Sequence, residues 1–136
     1  MGGRVVILGP GLLGGSLALA LAHDGHQPTV WGRRQAPLDF LTQASPEIRV
    51  EPSLAAAIEG AEFLVLATPI GVMPDLLEQI AGLKTLAPGA IITDVGSVKG
   101  PIVQRATAVL AGTGYRFIGS HPMAGSEATG VEAARA

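Results

Sequence analysis

Gly9-Pro10-Gly11-Leu12-Leu13-Gly14 follows directly on the apolar run Val5 to Leu8. His121-Pro122-Met123-Ala124-Gly125-Ser126-Glu127 stands in the same way after the run Tyr115 to Gly119. In the first segment each glycine has a distinct task. Gly9 permits a tight turn out of the strand, Gly11 lets the backbone approach a pyrophosphate, and Gly14 lets the next helix lie close against the strand. A helix opening at Leu12 and Leu13 aims free N–H groups and a partial positive charge at such a phosphate. Glycine-rich turns are common, so the reading leans on the flanking strand and helix. The second segment presents an imidazole where a strand ends. Histidine side chains as a class titrate near neutrality, which suits accepting a hydroxyl proton while hydride leaves the same carbon. A lone histidine is otherwise a structural hydrogen-bonding group; placement between Ser120 and Pro122 at a strand end favours chemistry. Together the segments imply a nicotinamide-dependent oxidoreductase whose His121 handles a substrate proton.

The residues between them refine the cofactor. An NAD site usually carries an acidic residue on the ribose 2′-hydroxyl about 20 residues past the glycine motif. Here the second strand ends Val30-Trp31-Gly32-Arg33-Arg34 with no carboxylate in reach. Arg33 and Arg34 would clamp a 2′-phosphate through charged hydrogen bonds, or else be two solvated arginines at a strand end. NADP is the expected cofactor, with NAD possible, and Trp31 lies at the adenosine end. Ligands of open parallel sheets sit beyond the carboxyl ends of the strands. Ala67, Thr68 and Pro69 emerge there and would wall the nicotinamide side. Asp94-Val95-Gly96-Ser97-Val98-Lys99 emerges there too, with Gly96 at the cofactor. Ser97 would orient the imidazole of His121 or bind the same hydroxyl. Asp94 either caps the turn through Gly96 and Ser97 or joins the chemistry, and Lys99 is either catalytic or on a helix surface. His23 and His26 flank a helix end, where capping or solvation accounts for them.

The elements that must position these groups alternate along the chain. Val5–Leu8 is a fully apolar run, as in a strand buried on both faces. A helix follows from Leu12 to Asp24, stopped by Gly25, then a strand Thr29–Trp31, a short helix over 35–43 and a weak strand Ile48–Val50. Ser53 caps a helix from Leu54 to Glu59. Strand Phe63–Ala67, a helix from about Val72 to Leu86, strand Ala90–Asp94, a helix from about Pro101 to Ala111 and strand Arg116–Gly119 complete the series. The tail from Gly125 reads as helical. This alternation calls for an α/β fold, a doubly wound parallel sheet of the Rossmann type in the order 3-2-1-4-5-6.

Composition sets the bounds. A chain of 136 residues makes one domain, so residues 1–136 are expected to form a dinucleotide-binding domain that ends early at its carboxyl side. There is no cysteine, which removes disulfides, thiolate metal sites and thiol nucleophiles. His23, His26 and His121 share no metal-ligand spacing, so no metal is expected. A net charge of −2 argues against nucleic-acid or anionic-membrane surfaces. Charged residues are 15% of the chain, below the roughly 25% of an average domain, which suits a surface covered by something else. Arg4 and the apolar stretch ending Ala20-Leu21-Ala22 imitate a secretory signal, but the glycines and Pro10 within it suit strand, turn and helix better. No apolar run reaches the ~18 residues that span a bilayer. A soluble, cytoplasmic protein is expected.

With these residues assembled, nearly the whole chain resembles the N-terminal domain of the prephenate and arogenate dehydrogenases of tyrosine biosynthesis. The likeness rests on Gly9 to Ser16, Ala67-Thr68-Pro69-Ile70, Asp94 to Lys99 and His121 to Glu127, the last two being specific. It implies oxidative decarboxylation: hydride passes from the ring carbon bearing the 4-hydroxyl to the nicotinamide while the ring carboxylate leaves as carbon dioxide. His121 would polarise or deprotonate that hydroxyl with help from Ser97. Ser126 and Glu127 match positions near the substrate side chain and the cleft entrance. Family members continue into a helical C-terminal domain that forms the dimer, and nothing here matches it. Cofactor binding is expected to survive that loss, and efficient turnover is not. Two other readings remain: another two-domain reductase of hydroxy acids or imines, and a non-catalytic NADP-binding module. The sequence does not choose between prephenate and arogenate.

Overall fold

The computed structural model of the chain describes residues 3–95 and 100–119. The elements run β1 (Val5–Leu8), α1 (Leu12–His23), β2 (Thr29–Trp31), α2 (Gln35–Ala44), β3 (Arg49–Glu51), α3 (Leu54–Ile58), β4 (Phe63–Leu66), α4 (Met73–Leu83), β5 (Ile91–Asp94), α5 (Gly100–Val109) and β6 (Arg116–Gly119). All pairings are parallel and the sheet order is β3-β2-β1-β4-β5-β6, as the alternation required. β1 and β4 lie at the centre, which is why both are apolar without alternation. Val6, Leu8, Leu64, Leu66 and Ile92 pack beneath α3, α4 and α5. Ile7, Val30 and Val65 pack against Ala18 and Ala22 of α1 and Leu38 and Leu41 of α2.

The register brings the strand ends level. Glu51, Trp31, Leu8, Leu66, Asp94 and Gly119 are successive cross-strand partners. The chain therefore leaves the sheet along one edge, with Gly9, Gly32, Ala67 and Val95 beside one another. Among the described residues no helix is long and apolar enough to cross a membrane.

Some boundaries differ from the sequence reading. Residues Ile70–Val72 form a 3₁₀ turn before α4, whose second residue is Pro74. That helix stops at Lys84, which has φ 56°, rather than running on to Leu86. Leu86 is still buried, because the connection beyond the helix folds back onto the core. Ile48 is buried one residue ahead of β3 instead of inside it. Ser53 is the expected cap of α3, its Oγ accepting from the Ala56 N–H at 3.3 Å.

Candidate functional site

The carboxyl edge of β1, β2 and β4 opens onto a cavity of about 370 Å³. Its floor is the turn from β1 into α1. Gly9 has φ +115°, and a Cβ there would lie 2.7 Å from the Ala67 carbonyl oxygen, so torsion and packing both demand glycine. The turn is fixed from both sides: the Gly9 N–H donates to the Trp31 carbonyl at 2.8 Å, and the Ala67 N–H to the Leu8 carbonyl at 2.8 Å. At Gly14 a Cβ would stand 2.0 Å from the Gly9 carbonyl oxygen, so this glycine lets α1 close on the turn. Gly9 and Gly14 thus serve the protein's own packing.

Gly11 does not. Its φ is −77°, which any residue adopts, and a Cβ there would meet nothing within 4 Å. Space at this point is kept open without a structural demand, which fits a bound group approaching the backbone. Gly11 is also the N-cap of α1 and offers no side chain to its first turn. The first intrahelical bond runs from the Gly15 N–H to the Gly11 carbonyl at 2.7 Å, so the N–H groups of Leu12, Leu13 and Gly14 lack helical acceptors. Such a terminus favours an anion. Leu12, Leu13 and Gly14 do not themselves line the cavity.

The walls supply two further features. Arg33 and Arg34 line the cavity, are exposed, and make no hydrogen bond or ion pair among the described residues. Among the described residues no acidic one lines it. On the opposite wall are Ala67, Thr68 and Pro69, and the Thr68 hydroxyl oxygen is buried without a hydrogen-bond partner among the described residues. A buried hydroxyl left unsatisfied costs about 1–3 kcal/mol unless something else engages it. Two guanidiniums unpaired among the described residues, an unused hydroxyl and an open glycine make a cationic cleft, with the free N–H groups of the α1 terminus following directly on Gly11. These residues fit a dinucleotide carrying a pyrophosphate.

Sequence reasoning missed part of the lining. Pro10, Gly32, Pro37, Val72 and Leu76 also face the cavity; Trp31, expected at the adenosine end, lines it too, its indole N–H donating to the Pro52 carbonyl at 3.1 Å. A glycine unexplained by any turn at the end of β2 was the available signal for Gly32. His23, the last residue of α1, and His26 just beyond it are exposed at the far end of the helix, away from the cavity. Asp94 is buried at the end of β5. Gly96, Ser97 and Lys99, and likewise His121, Ser126 and Glu127, lie outside the described residues.

A family model described as the nucleotide-binding domain of prephenate dehydrogenase matches residues 17–136. The chain is 37% identical to the prephenate dehydrogenase of Lactococcus lactis over 131 residues, covering 96% of this chain and 37% of that protein. Among solved structures, Synechocystis arogenate dehydrogenase superposes with a TM-score of 0.83 at 32% identity, covering 96% of this chain and 45% of that one. Prephenate dehydrogenase from Aquifex aeolicus, in complex with hydroxyphenyl propionate and NAD+, also gives 0.83, at 28% identity, covering 98% and 46%. The chain spans less than half the length of each of these relatives.

Proposed function

The chain belongs to the prephenate dehydrogenase family through its nucleotide-binding domain, and from that premise we propose that it binds NADP in preference to NAD and serves the oxidative decarboxylation of prephenate or arogenate. One observation carries the cofactor reading: among the described residues, Arg33 and Arg34 stand unpaired on a cavity that has open space at Gly11 and no carboxylate in its lining. The nicotinamide, when bound, supplies the hydride acceptor. The chain's own groups do the rest. The N-terminus of α1 receives the pyrophosphate charge. Arg33 and Arg34 grip the 2′-phosphate, and the Thr68 hydroxyl gains a partner on the nicotinamide side. Gly96 adds backbone to the cofactor wall.

For the substrate half, His121 takes the proton of the 4-hydroxyl as hydride leaves that ring carbon, and Ser97 holds the imidazole or shares the hydroxyl. The ring carboxylate departs as carbon dioxide and its electron pair completes the aromatic ring. Ser126 and Glu127 sit by the substrate side chain and the cleft entrance. The names of the relatives support this reaction class, and the Aquifex protein was crystallised in complex with both hydroxyphenyl propionate and NAD+.

The first experiment is a fluorescence titration of this chain with NADP and, in parallel, NAD. Trp31 is the sole tryptophan and lines the cavity, so it reports either ligand. Saturation favouring NADP supports the reading. Equal affinities remove the NADP preference, and no saturation with either removes the cofactor assignment. For the chemistry, His121→Ala in an enzyme that turns over should lose at least about a thousandfold in kcat. Its NADP affinity should stay within about twofold; a weaker affinity assigns His121 to cofactor binding instead.

A further inference from the structure

Gly32 is the first residue beyond β2, at the place where a dinucleotide site otherwise carries its ribose-binding carboxylate. It is buried, and its φ lies outside the left-handed region, so backbone torsion does not require glycine there. Sterics do. A Cβ at Gly32 would stand 2.8 Å from both Cδ and Cγ of Pro10, and 3.5 Å from Leu38 Cδ2. The proline ring is closed on its own backbone nitrogen and does not swing aside as the end of a flexible side chain does. To move it is to move the phosphate turn. That turn is pinned by the Gly9 N–H to Trp31 bond at 2.8 Å and by the close approach of Gly9 to Ala67.

We infer that Pro10 and Gly32 together form a specificity determinant: the ring of Pro10 fills the space a side chain at position 32 needs, so the end of β2 has no room for a carboxylate and the ribose end of the cavity passes to Arg33 and Arg34. The consequence for cofactor choice rests on the NADP reading above; the steric coupling of the two positions does not. Choice is then written in the phosphate turn as well as at the end of β2. Placing an acid on the strand without relieving the proline disturbs the cradle of the pyrophosphate before it touches the ribose.

The test compares the 136-residue chain with P10A, G32A, G32D, P10A/G32A and P10A/G32D. Melting temperature is read by circular dichroism, and affinity for NADP and for NAD by calorimetry, because Trp31 is too near the substitutions. Gly32→Ala alone lowers the melting temperature and weakens both cofactors about tenfold or more, since the added methyl displaces the turn. Pro10→Ala alone costs at most a few degrees, from the looser unfolded chain. P10A/G32A regains most of the loss. P10A/G32D binds NAD at least about tenfold more tightly than G32D does, and does not recover NADP; a gain of that size is one to two charged hydrogen bonds to the ribose. Additive melting shifts at positions 10 and 32 overturn the inference, as does a G32D variant that gains NAD with Pro10 still in place. If the unaltered chain prefers NAD while the melting shifts remain coupled, the NADP reading fails and the steric pairing stands. If G32D and P10A/G32D do not fold, the three alanine variants P10A, G32A and P10A/G32A decide the coupling.

Discussion

Two cavities lie at opposite edges of the sheet. At the amino edge, Arg4, Asp24, His26 and Arg49 surround a space of about 550 Å³. The space at the carboxyl edge is about 370 Å³. The larger holds as many arginines, but they are already engaged. Arg4 donates from Nε to the Glu59 carbonyl at 3.0 Å and from Nη2 to the Ala57 carbonyl at 2.9 Å, at the C-terminal end of α3. Arg49 donates to the Gln27 side-chain oxygen at 3.1 Å. At the carboxyl edge Arg33 and Arg34 have no such partners among the described residues. Binding capacity follows unspent hydrogen-bonding groups, and volume alone says little about it.

The sharpest way to break this contrast is inside the glycine turn, where packing and ligand space are separable. Gly14→Ala forces a methyl to within 2.0 Å of the Gly9 carbonyl oxygen. It should cost about 3 kcal/mol or more in chemical denaturation and abolish saturable cofactor binding, as overpacking against backbone does at its upper end. Gly11→Asp should do the reverse. An aspartate is a better N-cap than glycine and suits a helix N-terminus, so stability should hold or rise by a few tenths of a kcal/mol, roughly. Yet its carboxylate would occupy the phosphate's place, and affinity should fall by about a hundredfold or more. If Gly11→Asp loses stability and keeps the cofactor, the open space at Gly11 has another purpose.

The two pairs of arginines give the next test. Arg33→Ala should weaken NADP by about ten- to a hundredfold, the worth of one or two charged hydrogen bonds, and leave NAD within about twofold. Equal losses for both cofactors would end the 2′-phosphate assignment. Arg4→Met should leave both affinities unchanged within about twofold and lower stability by about 1 kcal/mol, because two carbonyls at the end of α3 lose their donor. An Arg4 variant that loses cofactor affinity would mean that the amino edge is coupled to the site.

Much of this was legible from residues alone, for physical reasons. β1 and β4 are covered on both faces, so their apolar runs admit no other placement, and with them the sheet order followed. β3 sits at an edge with Arg49 exposed, and its pattern was correspondingly weak and its start misplaced by one residue. The end of α4 depends on Lys84 adopting a left-handed conformation, which no lysine announces in sequence. Within the glycine turn, spacing picked out Gly9, Gly11 and Gly14, but not that packing requires the first and third and leaves open space at the second. Gly32 is the extreme case: its necessity is created by a proline ring on a different connection, so only the folded edge reveals it.

The smallest effects divide two hydroxyls orphaned among the described residues, Thr68 Oγ1 at the cavity and Thr85 Oγ1 between α4 and β5. Each is a buried polar group without a partner, and valine removes it at nearly constant volume. Both Thr68→Val and Thr85→Val should therefore stabilise the free chain, by about 1 kcal/mol each, as the penalty for an unsatisfied hydroxyl disappears. They should part company on ligand addition. The Thr85 variant should bind NADP as before, so its whole gain persists in the complex. The Thr68 variant should lose about three- to tenfold in affinity, roughly the value of one hydrogen bond. Its stability advantage should then vanish at saturating NADP, because a ligand that binds the folded state more weakly stabilises it less. Melting curves with and without NADP read both quantities at once. If the Thr68 variant keeps its advantage in the complex, that hydroxyl is as idle as the one at Thr85, and the cavity's donor set is one group smaller than its geometry suggests.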